Sequence, residues 1–293
     1  MKTEKEEGIL PDKKFVLVIG HGSRLPYNKE MVNLHAGMLI AKGYQVYIGF
    51  NEVSEPSIEE AMKLMVEDGA EEIVALPLFV ASGIHTLHDI PLKLGLPEGY
   101  GTGESTKYGK NVTVHYKEPF GDDPGVTQVL LNKLRTIGCS DDTGALLIAH
   151  GSPMKHNSGL VNRTAGRLKD MGIKNVFVGF NEFNEPGIEE SFAAMIDSGL
   201  DRIIVLPMFI ASGVHIGEEI PEKLGLPGGS SKGVVKKRGR EVTVFYTETL
   251  GLNPEMNDIL VKKINETNCI ITEQVKFPYK SEPELSACQE KKN

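Results

Sequence analysis

LPLFVASGIHTLHDIPLKLGLP, residues 76 to 97, is matched 130 residues later by LPMFIASGVHIGEEIPEKLGLP at 206 to 227. Two further blocks repeat in the same order: FVLVIGHGS at 15 to 23 with ALLIAHGS at 145 to 152, and GFNEVSEPSIEEA at 49 to 61 with GFNEFNEPGIEES at 179 to 191. The offset is 129 residues at the first block and 130 at the other two, so one net insertion separates the halves. Solenoid and propeller repeats run to roughly 20 to 50 residues and recur three or more times. A unit of this length occurring twice is a duplicated domain. The expected division is an N-terminal extension at 1–13, a first domain at 14–140, a second at 141–268 and a charged tail at 269–293, with CSDDTG at 139 to 144 as the linker.

Within each half, short apolar runs such as FVLVI, QVYIGF, IVALPL and VTVHY are β-branched-rich and do not alternate with polar residues, which predicts buried strands. Helical patterns lie between them. In PSIEEAMKLMVEDG at 56 to 69, Pro56 suits a first helical position, Glu59 and Glu60 a first turn and Gly69 a stop. GVTQVLLNKLRTIG at 125 to 138 and NPEMNDILVKKINET from 253 predict the final helix of each half. Alternating strands and helices imply an α/β fold, two tandem domains each built on a parallel sheet with helices on both faces. Such sheets bind ligands at the carboxyl ends of their strands. HGS, NExxEP and ASGxH follow the first, second and third strands of each half, at that edge.

Composition narrows the function. Of 293 residues, 40% are hydrophobic and 25% charged, ordinary for a globular protein. A formal net charge of -8 and a pI near 5.6 argue against nucleic acid as a partner. No apolar run approaches the roughly 18 to 20 residues that span a bilayer, and the charged start has no signal-peptide core, so a cytoplasmic location without membrane association is expected. Cys139, Cys269 and Cys288 are odd in number and far apart, and indicate neither a disulfide framework nor a thiolate zinc site.

His21 and His150 each end a buried strand inside a small-residue turn, and His85 and His215 lie on the loop after strand three. A histidine pair repeated at the functional edge suits a metal site, because neutral imidazole is a favoured ligand for cobalt, nickel and zinc. Glu52, Glu55, Glu182 and Glu185 occupy the matching NExxEP loops. One carboxylate of each pair can complete the ligand set or act as a base. For Glu55 and Glu185, capping of the following helix is the competing reading. His88, His115 and His156 are not kept across the duplication, and His35 falls in a helical pattern that suits a structural role. SSKGVVKKRGR at 230 to 240 reads as a solvated hairpin or loop, yet its Lys232, Lys236, Lys237, Arg238 and Arg240 are cations able to attract a polycarboxylate. Lys107 and Lys110 occupy a comparable stretch of the first half.

GHGSRLPYNKE, FNEVSEPSIEEA and PLFVASGIHTLHDIPLKLGL together resemble the class II chelatases of the sirohydrochlorin cobaltochelatase type, over roughly residues 14 to 268. Long forms of that family fuse two domains around one tetrapyrrole cleft, where short forms assemble as homodimers. The resemblance therefore implies a monomer that inserts a divalent metal into a sirohydrochlorin-type tetrapyrrole. Co2+ is the expected metal substrate, with Ni2+ or Fe2+ as alternatives, and no permanently bound cofactor is implied. It further implies metal binding by His21 and His85, with His150 and His215 at the second-half positions, and catalysis by these four with Glu52 and Glu55. Arg24, Ser82, Gly83, Ser212, Gly213, Lys236 and Lys237 are expected to contact the substrate. The second half departs from the pattern, with Pro153 at the position of Arg24 and EEIP in place of HDIP, so the first-half site is expected to dominate.

Other readings compete. Nickel insertion to make a nickel-tetrapyrrole coenzyme, or iron insertion for sirohaem, uses the same macrocycle. A non-catalytic metal or tetrapyrrole carrier needs the histidines but no proton acceptor. A phosphate-ester enzyme using GHGS as an oxyanion turn lacks a glycine-rich phosphate cradle and leaves the paired SGxH loops unexplained.

Overall fold

The run FVLVIG is buried at every position and forms β1 (Phe15–Gly20), as a strand covered on both faces must. The computed structural model describes residues 15–152, 155–211, 213 and 215–266, without the side chains of 155–158 and 215. The expected N-terminal extension and C-terminal tail lie outside these residues, as do Pro153 and Ser212. The first half continues through α1 (Tyr27–Ala41), β2 (Gln45–Phe50), α2 (Ile58–Glu67), β3 (Glu72–Pro77), α3 (Ile90–Leu94), β4 (Gly101–Ser105), β5 (Val112–Tyr116) and α4 (Pro124–Ile137). The second repeats this order as β6 (Thr143–Ala149), α5 (Lys155–Asp170), β7 (Asn175–Phe180), α6 (Ile188–Asp197), β8 (Arg202–Pro207), α7 (Ile220–Lys223), β9 (Lys232–Lys237), β10 (Arg240–Tyr246) and α8 (Met256–Asn265). No helix among the described residues is long and apolar enough to cross a membrane.

Each half builds a five-stranded sheet, in the orders β2-β1-β3-β5-β4 and β7-β6-β8-β10-β9. Four strands of each sheet are parallel, as expected, but β4 and β9 pair antiparallel at the edge. GTGES and KGVVKK lack a continuous apolar run because an edge strand beside a hairpin turn need not be buried on both faces. The order β2-β1-β3 reverses direction between β1 and β3. That switch point opens a crevice at their carboxyl ends, and the same holds for β6 and β8.

The start of α2 differs from expectation. Pro56 stands outside the helix, and Ser57 is the N-cap: its hydroxyl accepts from Glu60 N–H while the Glu60 carboxylate accepts from Ser57 N–H at 2.7 Å. This reciprocal capping box satisfies two otherwise unpaired donors. Ser57, not Glu55, therefore caps the first-half helix. In the second half, where Gly187 replaces that serine, the Glu185 carboxylate accepts from Gly187 N–H at 3.1 Å.

Among the described residues, three apolar clusters hold the molecule together. Leu17, Ile19, Met62 and Met65 belong to one on the outer face of the first sheet, and Leu146, Ile148, Phe192 and Met195 to its counterpart on the second. The third is shared, joining Val16 and Val18 to Ala145 and Leu147 through α1, α4, α5 and α8. The final helices cross over: α4 lies against α5 and β8, and α8 against α1 and β3. Polar contacts follow the same exchange, with Arg163 and Arg167 of α5 on Asp122, Lys42 just past α1 on Asp258 of α8, and Lys262 of α8 on Asp123. The halves are thus not independent beads, because each lends the other a helix to cover an apolar sheet face. His35 has the structural role expected for it: it is 1% exposed, and its Nε2–H donates to the Gly251 carbonyl across this interface at 2.8 Å.

Candidate active site

Gly22 follows His21 with φ 88°, and a Cβ there would sit 1.7 Å from the Glu52 carbonyl oxygen. Gly151 repeats this, with φ 86° and 1.8 Å to the Glu182 carbonyl. Only glycine fits so close an approach at positive φ, and it lets the loops after the first two strands of each half close on each other. Glu52 N–H then donates to the His21 carbonyl at 2.9 Å, and Glu182 N–H to that of His150 at 2.8 Å.

Across the switch point His85 opens a π-turn, His85–Asp89, that runs into α3. The His21 and His85 rings lie 4.9 Å apart, nearly perpendicular. His21 Nδ1–H donates to the Gly22 carbonyl at 3.0 Å, and His85 Nδ1–H to the Asp89 carboxylate at 2.7 Å. Both bonds favour the tautomer whose Nε2 carries the lone pair that a metal requires. Glu52 Oε1 lies 3.6 Å from His85 Nδ1, and Glu52, His85 and Asp89 form a cluster of donor atoms within 4.8 Å of one another. Both carboxylates lie beside Nδ1, so they bear on the orientation of the ring, and Nε2 is the nitrogen left to a metal.

The two halves face a common cleft of about 900 Å³, lined by His21, His85, Ser82 and Gly83 from one side and by His150 and Asn181 from the other. Its walls include Phe79, Met208 and Ile210. The volume stands at the upper end of the usual range for small-molecule sites.

The residues expected from sequence divide into those at the cleft and those away from it. His21, His85, His150, Ser82 and Gly83 line it. Glu52 adjoins His85, whereas Glu55 is exposed and its carbonyl receives Lys29 Nζ. Arg24 is exposed, next to the cleft-lining Ser23. His215 opens the second π-turn, His215–Glu219, its side chain outside the description; Gly213 precedes it, and Ser212 lies outside the described residues. Lys236 and Lys237 are not brought to the cleft. The β9–β10 hairpin pairs them with Glu241 and Arg240 at the start of β10, the amino edge of the parallel strands. There Lys236 pairs with Glu241 at 3.0 Å and Lys237 lies over the Phe192 ring. Lys232, opposite Phe245, is the cation of this segment nearest the carboxyl edge.

Several site residues escaped the sequence reading. Asp89 orients His85 from four positions along, and Glu219 stands at its counterpart. Lys93 Nζ donates to the Asn51 carbonyl and Lys223 Nζ to the Asn181 side chain at 2.7 Å, tying the helix after each π-turn to the second loop. The Tyr100 hydroxyl donates to Thr86 Oγ1 at 2.8 Å and pairs with the Ser82 hydroxyl at 2.9 Å, and burial pushes its pKa up to about 12. Retention of Asn51, Lys93 and an acid at 89 in both halves was the available signal.

The CbiX family model matches residues 15–137 and again 144–267. A sirohydrochlorin cobaltochelatase from Methanosarcina acetivorans is 39% identical over 128 residues, covering 43% of this chain and 98% of that protein. One from Methanopyrus kandleri is 34% identical over 134 residues, covering 41% and 94%. Among solved structures, SirB from Bacillus subtilis with Fe3+ superposes with a TM-score of 0.72 at 23% identity, covering 87% of this chain and 96% of that one. A CbiX described as the terminal enzyme for siroheme biosynthesis in denitrifying bacteria superposes with a TM-score of 0.56 at 17% identity, covering 87% and 98%. At these identities the structural matches speak for the fold, and the sequence relatives each span about one half of the chain. With two matched copies, the chain belongs to the CbiX family and carries its domain twice in tandem.

Proposed function

We propose that this protein is a metal chelatase that inserts a divalent ion, Co2+ foremost, into a sirohydrochlorin-type tetrapyrrole held between its two halves. The observation that carries the reading is the His21–His85 pair, rings 4.9 Å apart, in a cleft of about 900 Å³ that the second half also enters with His150. The relatives named sirohydrochlorin cobaltochelatase support the same substrate.

In this reading His21 and His85 hold the metal substrate through Nε2, with Glu52 as the adjoining carboxylate. Two neutral imidazoles bind firmly enough to strip water and weakly enough to release the ion. The macrocycle enters along apolar walls, its carboxylate arms directed to solvent where Arg24 can meet them. Insertion exchanges one divalent ion for two pyrrole N–H protons, so charge balances once both protons are taken up. In this reading Glu52, with Glu182 as its second-half counterpart, accepts one and solvent water takes the other. Ser82 and Gly83 lie where the macrocycle edge would rest. In this reading His150, which lines the cleft, and His215 are the alternative pair of the second half. The reading includes a cytoplasmic location and a monomer, since the fused halves already supply both walls.

The deciding experiment is anaerobic metallation of sirohydrochlorin with Co2+, Ni2+ and Fe2+ side by side, against the same ions without protein. Acceleration with at least one ion is expected, with Co2+ the fastest. Folded protein that binds metal and gives no acceleration would favour the carrier reading.

A further inference from the structure

Val53 and Phe183 occupy the same place in the two halves, one residue past Glu52 and Glu182, and both have left-handed backbones with φ 56° and 62°. Ser54 N–H donates back to the Glu52 carbonyl at 2.5 Å and Asn184 N–H to the Glu182 carbonyl at 2.7 Å. A bond from residue i+2 to residue i about a positive-φ centre is the rare, strained form of γ-turn. Glycine takes that conformation without penalty, whereas a β-branched valine there is a steric outlier. Core packing does not explain the choice, for Val53 is 67% exposed and Phe183 61%. Each half therefore holds a strained turn that puts an apolar side chain into solvent.

Both turns are fastened to the histidine loops. Ser54 Oγ accepts from Ser23 N–H and donates to the Ser23 carbonyl, each at 3.0 Å. In the second half Asn184 Oδ1 accepts from Ser152 N–H at 2.8 Å, and the Phe183 ring stands edge-on to His150 at 6.0 Å. Ile84, beside His85, and Leu25, just past the GHGS turn, are also exposed. Phe183 thus stands beside a histidine that lines the cleft, and Val53 holds the matching position on the loop fastened to the cleft-lining Ser23. Strain at such a position marks function when the surroundings hold it in place.

We infer that Val53 and Phe183 are macrocycle-contacting, specificity-determining residues, one from each half, that pack against the conjugated apolar ring of the substrate while its carboxylate arms stay outside. This rests on the chelatase reading. Neither side chain can ligate metal or accept a proton, so their contribution is to the affinity and seating of the ring. The unequal pair also makes the two halves unequal, the larger contact lying with Phe183.

The test is the double variant Val53→Asn with Phe183→Asn, since asparagine accepts positive φ and keeps the turn while removing the apolar surface. Binding of metal-free sirohydrochlorin is followed by its absorbance, and binding of Co2+ alone by titration. The expected result is a macrocycle Kd about tenfold higher, with Phe183→Asn carrying the larger share and Co2+ affinity unchanged. Val53→Gly, which relieves the turn, should weaken macrocycle binding without lowering the thermal midpoint, separating lost contact from lost fold. Unchanged macrocycle affinity in the double variant would overturn this inference alone. Absence of saturable sirohydrochlorin binding by the unaltered protein would overturn the chelatase reading and this inference with it.

Discussion

His85 Nδ1 lies 2.7 Å from Asp89 Oδ2, four residues further along the same π-turn. That bond decides which nitrogen of His85 the cleft receives. An outer carboxylate of this kind fixes the tautomer and raises the basicity of a ligating imidazole, and its loss typically costs about 10- to 100-fold in metal affinity. Asp89→Ala is accordingly expected to weaken Co2+ binding by about that factor, and Asp89→Asn, which keeps an acceptor oxygen, by less. A titration showing equal affinity for both variants and the unaltered protein would remove Asp89 from the site.

The histidines themselves should separate by half. His21→Ala and His85→Ala are each expected to abolish most metallation while leaving the thermal midpoint nearly unchanged, because both side chains face the cleft. His150→Ala with His215→Ala should leave substantial activity, and the quadruple variant none. Steady-state rates decide this: complete loss from the second-half pair alone would mean that both pairs serve one centre or that the active half is the other one. Glu52→Gln should lower turnover more than metal affinity if the carboxylate acts as a base, and both together if it is a ligand.

Glycine substitutions offer an internal contrast. Gly22→Ala places a Cβ 1.7 Å from the Glu52 carbonyl oxygen at φ 88°, so the GHGS loop must move away from the second loop. Loss of several kcal/mol, or of Co2+ binding in folded protein, is expected. Gly83→Ala meets nothing within 4 Å and has no positive φ. Its thermal midpoint should be unchanged or slightly raised, so any fall in sirohydrochlorin affinity reports contact with the substrate.

Acid should loosen the shared interface through His35. Burial holds its pKa below the ordinary 6.5, only partly offset by the hydrogen bond to Gly251. The unfolded chain therefore takes up this proton first as pH falls. The stabilising contribution is complete above 6.5 and is lost as pH drops below it through the folded value. His35→Gln is expected to cost about 1–3 kcal/mol at neutral pH and to flatten the acid side of the stability curve. Thermal unfolding from pH 7.5 to 5 checks this, and an equally steep acid limb in the variant would assign the sensitivity elsewhere.

Much of this architecture was legible in the chain because duplication and strand chemistry are local signals. The runs FVLVIG and IVALP needed only their own composition to declare buried strands, and repetition of HGS, NExxEP and ASGxH marked the loops at their carboxyl ends. The edge strand β4 was not legible, and β9 was legible only as a hairpin or loop, since GTGES and KGVVKK lack the apolar run that two-sided burial imposes. Lys236 and Lys237 read as cleft residues because the direction of a hairpin is invisible until its register with β10 is known. Asp89 and Lys93 do their work through spatial partners that no local pattern announces.

What the chain determined by itself was the set of chemical groups and their repetition: two imidazoles and a carboxylate per half, each just past a strand. What only tertiary structure decided was that His21 and His85, 64 residues apart, meet at 4.9 Å, and that His150 enters the same cleft. The first follows from the strand order β2-β1-β3, which puts the ends of β1 and β3 side by side with their connections leaving in opposite directions. The second follows from the exchange of α4 and α8, which buries an apolar face of each sheet under the other half's helix and so holds the two histidine loops across one cleft.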